Sequence, residues 1–169
     1  GGVPVGLPET LPARVTAIAT GLHSAYALTE NGTVWAWGGN EKRQLGNGVP
    51  YCQHVPVQVT ALTGVKAVAT RGRLTTQGYS PGLGYTCAVA SDGTVWEWGK
   101  YLWSDSDSWE PGSTPRKLSG LSDMRAVAVS SLEGVALRSD GTVWSWEPLS
   151  VWSRSAPTSQ SARRPRAAR

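Results

Sequence analysis

Asn31-Gly32-Thr33-Val34-Trp35-Ala36-Trp37-Gly38 is written again as Asp92-Gly93-Thr94-Val95-Trp96-Glu97-Trp98-Gly99 and once more as Asp140-Gly141-Thr142-Val143-Trp144-Ser145-Trp146-Glu147. Three copies of one stretch define a repeat protein, and the residue types say what is repeated. Asn-Gly and Asp-Gly tolerate positive φ, which a type I′ hairpin turn requires, and Thr-Val-Trp-x-Trp is rich in β-branched and aromatic residues. Each copy therefore predicts a tight turn followed by a strand. The two-residue period of a strand puts both Trp of a copy on one face, with Ala36, Glu97 and Ser145 on the other. The first face is expected to be buried and the second to tolerate water.

Aligning the copies on their turn glycines extends the repeat backwards. Val15-Thr16-Ala17-Ile18-Ala19, Val65-Lys66-Ala67-Val68-Ala69 and Met124-Arg125-Ala126-Val127-Ala128 read as one strand, and Tyr26-Ala27-Leu28, Cys87-Ala88-Val89 and Val135-Ala136-Leu137 as the next. Pro56-Val57-Gln58-Val59 and Pro115-Arg116-Lys117-Leu118 supply a further strand upstream, with Pro4-Val5 as a looser counterpart. The turn glycines stand 61 and then 48 residues apart, so a unit is about fifty residues with four short strands, the size of a propeller blade. The predicted organisation is an all-β partial β-propeller over residues 1–149, with repeats at about 1–48, 49–112 and 113–149. A basic tail at 150–169 is expected to be disordered.

Length and charge agree with that division. The chain has 169 residues, enough for one domain with a sizeable core, and 20 of them are Gly, as suits many chain reversals. Its formal charge is +4, but the first 149 residues hold eleven Lys and Arg against twelve Asp and Glu. The excess sits in Arg154, Arg163, Arg164, Arg166 and Arg169. The tail reads either as an arm that contacts nucleic acid or anionic lipid through charge alone, or as a solvated or out-of-frame end. Only the tail offers nucleic acid anything. No apolar run approaches the ~18 residues of a membrane span, and no signal peptide is evident. A first residue that is Gly rather than Met suggests a processed, excised or partial chain.

Val-x-Ala-Ile-Ala, His23, Ala-Leu, the Asn-Gly-Thr-Val-Trp-Ala-Trp-Gly-Gly-Asn stretch and Gln44-Leu45-Gly46 together resemble the repeat of the regulator of chromosome condensation family. The resemblance covers about residues 4–148 and implies a β-propeller, usually of seven blades. The second unit departs from the motif by replacing the His-bearing turn with a longer insert. The third has Leu132 at the place of His23 and Glu147 where Gly is expected, and neither later copy keeps Gln-Leu-Gly. A Trp pair on one face suits blades that bury flat sheets against each other, each Trp contributing roughly 1.5–3 kcal/mol by area transfer. The repeat core is accordingly Gly32, Trp35, Trp37, Gly93, Trp96, Trp98, Gly141, Trp144 and Trp146. Three blades do not close a ring, which leaves three readings: a fragment of a longer propeller, a chain that self-associates through open blade faces, or a damaged reading frame.

Chemistry is sparse. Cys52 and Cys87 form neither a disulfide framework nor a metal-ligand pattern, and no bridge between them is expected. His23 and His54 have no carboxylate or Cys at ligand spacing, so no metal or other cofactor is expected, and His23 reads as a turn residue whose ring binds the backbone of its blade. The Ser104-Asp105-Ser106-Asp107-Ser108 run lacks the Gly and distal Glu of a calcium loop. The chain is not expected to be an enzyme.

Successive connections of an antiparallel blade alternate between its two ends. The Asn-Gly and Asp-Gly turns mark one end, and the loops at the other carry surplus Tyr, Trp and Arg, which is typical binding material. Those candidates are Arg43, Tyr51, Arg71, Arg73, Tyr79, Tyr101, Trp103 and Trp109, although Trp103 and Trp109 also fit a role as local caps over an open blade. The reading is a non-catalytic protein-interaction module with a protein partner. The resemblance adds two alternatives, guanine nucleotide exchange with chromatin association and inhibition of a secreted enzyme such as a β-lactamase. The Ala-rich, Asp-Gly-Thr-Val-Trp style looks bacterial and tilts the expected location towards the extracellular space or cell envelope.

Overall fold

The computed structural model describes residues 11–41, 43–73, 83–100, 113–130 and 133–146. They form three antiparallel sheets and, among the described residues, no helix. The first sheet is β1 (Val15–Thr20), β2 (Ser24–Thr29), β3 (Val34–Gly38) and β4 (Gln53–Gln58), hydrogen-bonded in that order. The second repeats the meander with β5 (Val65–Arg73), β6 (Leu83–Ala90), β7 (Val95–Lys100) and β8 (Arg116–Lys117). The third has β9 (Met124–Val129), β10 (Gly134–Arg138) and β11 (Val143–Trp146). The Pro-bearing strand that opens the second unit in sequence thus closes the first sheet in space, pairing Ala36 with Val57. The sheets approach most closely along β1, β5 and β9.

The hairpin between the second and third strands differs from the expected type I′ turn. The amide of Gly32 donates to the Thr29 carbonyl at 2.9 Å and that of Thr29 to the Thr33 carbonyl at 3.0 Å, so the loop has three residues, 30–32. Only its last residue has positive φ, +76° at Gly32, +77° at Gly93 and +86° at Gly141. This is the three-residue hairpin in which a left-handed Gly follows a type I turn. Asn or Asp before it has another task. The side-chain oxygen of Asp92 accepts from the Thr94 amide at 3.0 Å and hydroxyl at 2.6 Å, and that of Asp140 from Thr142 at 2.8 and 2.6 Å. The threonine oxygen in turn accepts the first indole N–H of its repeat, at 3.1 Å from Trp35, 3.0 Å from Trp96 and 2.9 Å from Trp144. A relay from Asx to Thr to Trp sets the indole within its own blade.

The first strand of each blade carries an irregularity at its second residue, since Val15 and Ala17, and likewise Val65 and Ala67, face consecutive partners. A bulge there turns Thr16 and Lys66 out to solvent and sharpens the local twist.

Both faces of the middle blade are covered, which corrects the expectation that one face would meet water. Trp96 and Trp98 pack on Tyr26, Leu28, Val34 and Ala36 of the first blade. On the other side Tyr85, Cys87, Val89 and Val95 meet Trp144, Trp146, Met124 and Ala136 of the third. Ala36 and Glu97, between the Trp, are therefore buried. A sheet stacked between two others has no solvent face, and the alternation along a strand separates two seams instead of inside from outside.

Candidate functional site

The ends of β1, β3, β5 and β7 and the starts of β2, β4 and β6 gather at one end of the sheets, because Ser24 pairs with Gly38 and Gly84 with Lys100. The connection at 39–52 runs along this end and docks on the second blade. Asn40 is fully buried. Its side-chain oxygen accepts from the Leu45 amide at 2.9 Å, and its amide nitrogen donates to the Val49 carbonyl and, at 3.3 Å, to Asn47. That grip presents the Gln44 carbonyl to two donors at once, the Tyr26 hydroxyl at 2.5 Å and the Trp98 indole N–H at 2.7 Å. Thr86 donates to the Tyr26 hydroxyl at 2.9 Å, closing the network across the seam. Tyr26 and Trp98 meet edge to face, with centroids 6.4 Å apart. Gly46 lies so close to the indole that an added Cβ would sit 2.7 Å from its nitrogen, and its φ is +66°.

The second seam uses other chemistry. Glu97 is 3% exposed, accepts from the Tyr85 hydroxyl at 2.5 Å and pairs with the Arg116 guanidinium. The Tyr85 oxygen accepts the Trp146 indole N–H at 3.1 Å. Burial first, and then the charge of Glu97, push the Tyr85 hydroxyl and the Cys87 thiol above their usual ranges, so both stay protonated. Burial likewise raises Tyr26.

The predicted binding residues fall into three groups. Tyr51 is 73% exposed just ahead of β4, with Val49 and Val55 exposed beside it in sequence. Arg43 is half-buried at a backbone φ of +56°, where its amide donates to the Asn40 carbonyl at 2.8 Å, so it shapes the clamp loop. Arg71 is half-buried on β5, paired with Tyr85, and Arg73 ends the same strand, paired with Leu83. Tyr79, Tyr101, Trp103 and Trp109 lie outside the described residues, as do Leu132, Glu147 and the tail. The structure therefore brings Arg43, Tyr51, Arg71 and Arg73 to one end without showing them in a shared cluster. The His23 side chain is exposed, and it is its carbonyl that serves the turn, accepting from the Gly39 amide at 2.5 Å. Sequence reasoning missed Asn40 and the Gln44 main chain. The Gln-Leu-Gly motif marked their position without revealing that a carbonyl does the work.

Cys87 is buried and Cys52 exposed, and both are free thiols. Among the described residues no three His, Cys, Asp or Glu gather where a metal ion would be held.

Antiparallel meanders of four, four and three described strands that repeat along the chain, the second and third each packing a Trp pair on the one before, define blades of a β-propeller. Residues 31–71 and 15–44 each match the regulator of chromosome condensation (RCC1) repeat, so residues 15–71 of the chain carry that repeat. It is 32% identical over 99 residues to the mitochondrial RCC1 domain-containing protein RUG3 of Arabidopsis thaliana, covering 59% of this chain and 20% of that protein. It is 30% identical over 122 residues to the human E3 ubiquitin-protein ligase HERC2, covering 70% of this chain and 2% of the ligase. The crystal structure of Prp20p from Saccharomyces cerevisiae superposes with a TM-score of 0.60 at 20% identity, over 79% of this chain and 33% of that one, and shows the same fold. The chain thus spans a fifth or less of these two curated relatives and a third of the yeast structure.

Proposed function

We propose that this chain is a non-catalytic protein-interaction module that engages a protein partner with the loop end of its blades. The observation that carries the reading is Tyr51. It stands 73% exposed on a connection whose base is fixed by the buried Asn40 and Leu45, so an aromatic side chain is offered to solvent from a rigid mount. Rigid presentation lowers the ordering cost of binding, and Tyr and Arg are the side chains that most often dominate interface energies. Half-buried Arg71, on β5 of the neighbouring blade, stands at the same end and adds positive charge. The relatives support the class: Prp20p is described with binding to Gsp1p and histones. Those two proteins are the natural first probes.

The test is capture of a partner by the wild-type chain and by a Tyr51→Ala, Arg71→Ala double variant. The expected result is at least a tenfold loss of affinity with an unchanged melting temperature. Equal capture by a folded double variant would remove the loop end from consideration.

A further inference from the structure

Between Arg43 and Lys66 the chain has no Lys, Arg, Asp or Glu, and its titratable side chains there are Tyr51, Cys52 and His54. All three are exposed, at the point where the connection from β3 becomes β4. The Cys52 thiol lies 4.0 Å from Nε2 of His54, within reach of a hydrogen bond to sulfur, which corrects the expectation that no cysteine attends His54. Cys52 directly precedes β4 and His54 is its second residue, a spacing that brings two side chains to one side of extended backbone. The strand is also irregular here. Ala36 faces Val57 and Gly38 faces Gln53, so residues 54–56 stand against Trp37 alone. A bulge re-aims side chains, and this one leaves His54 and Val55 exposed.

The chain has two cysteines, and the other has none of these properties. Cys87 is fully buried in the second seam, where burial and Glu97 keep it protonated. A thiol attacks as its thiolate, so an adjacent imidazole that takes the proton activates it, and access decides which thiol is used. Cys52 has both the access and the base. His54 is also the one imidazole in this uncharged stretch.

We propose that Cys52 and His54 form a thiol-modification site that takes low-molecular-weight disulfides and, once loaded, blocks the loop end. Nε2 of His54 accepts the Cys52 proton while the sulfur attacks one sulfur of the incoming disulfide. One S–S bond forms as the other breaks, and the leaving thiolate takes the proton back from the imidazolium. The sum is thiol plus disulfide giving mixed disulfide plus thiol, with the incoming disulfide as oxidant, and a further thiol reverses it. Cys52 follows Tyr51 in the chain, so the added group stands beside the aromatic side chain that engages the partner. That consequence rests on the proposed role of Tyr51, and the exchange itself does not.

The test has two arms, both on the full chain with circular dichroism as the folding control. In the first, an aromatic disulfide that releases a coloured thiolate is mixed at about pH 7 with the wild type, His54→Gln and Cys52→Ser. The wild type should release one equivalent, at least threefold faster than His54→Gln, and Cys52→Ser should release none until it is unfolded. At about pH 10, where solvent takes the thiol proton, the wild type and His54→Gln should react alike, which a structural disturbance by the substitution would not produce. In the second arm, the chain loaded with oxidised glutathione should lose partner capture at least tenfold and regain it on reduction, whereas Cys52→Ser treated alike keeps it. Equal rates for the wild type and His54→Gln at about pH 7 overturn the site. Undiminished capture by the loaded chain overturns its control of the loop end. A chain that captures nothing even when unloaded counts against the role of Tyr51, and the rates still decide the exchange.

Discussion

The two seams between blades bury the same indole and hold it differently. At the first, Trp98 donates to the main-chain carbonyl of Gln44, presented by a loop folded around Asn40. At the second, Trp146 donates to the Tyr85 hydroxyl, which leans on the buried Glu97 and its partner Arg116. The repeat thus fixes the donor and leaves the acceptor to local invention. A backbone carbonyl is insensitive to side-chain substitution and to pH. A phenol–carboxylate–guanidinium chain is sensitive to both.

The largest way to break the comparison is to remove the indoles. Trp98→Ala and Trp146→Ala should each cost about 3–5 kcal/mol, as large-to-small changes at buried aromatic sites do. Thermal or urea unfolding should show Trp98→Ala as the more damaging, because it also unseats Gln44 and the Tyr26 ring. A smaller effect separates the seams. Glu97→Gln weakens the Arg116 pair and should cost about 1–3 kcal/mol, a range that allows for the partly exposed guanidinium. In the same urea titration Gln44→Ala should cost less than Glu97→Gln, since the bond at the first seam belongs to the main chain.

Acidity gives the subtlest contrast. Burial holds Tyr26, Tyr85 and Cys87 protonated above their ordinary values of 10.0, 10.0 and 9.0. The folded chain therefore binds more protons than the unfolded one once pH passes those ordinary values. Stability from these groups is intact below about pH 9 and falls as pH rises further, more at the second seam, which holds two of the three. Asp92 has the opposite sign. Hydrogen bonds from Thr94 hold its carboxyl below 3.8, so its contribution is present above that value and is lost as pH falls through the folded one. Being fully exposed, it should move the melting temperature least. Melting temperature followed against pH reads both limbs. In the same protein Cys52 should react with an alkylating reagent in the folded state and Cys87 only after unfolding.

How much of this the sequence revealed follows from how local each interaction is. The turn glycines and the Trp pairs lie within eight residues of each other, and their spacing marked three β units without ambiguity. The hairpin type differs from the two-residue turn that Asn-Gly suggests because Glu30 belongs to the loop as well. The expected water face around Ala36 and Glu97 is covered for a longer-range reason, since the blade that lies over it begins about thirty residues on, at Val65 for Ala36 and at Met124 for Glu97. The ring of His23 drew attention because sequences display side chains, and the working group there is a carbonyl. The same blindness hid the Gln44 acceptor. Half of the predicted loop-end residues, Tyr79, Tyr101, Trp103 and Trp109, lie outside the described residues.

The relay from Asp92 to Thr94 to Trp96, and its copy from Asp140 to Trp144, runs within five residues of chain. Each hairpin can therefore orient its first indole while the neighbouring unit is still unfolded, and the entropy of fixing that ring is lost early and locally. Such a chain gains stability by accretion, each new unit adding its own nucleus and one docking term, in the manner of nearest-neighbour cooperativity.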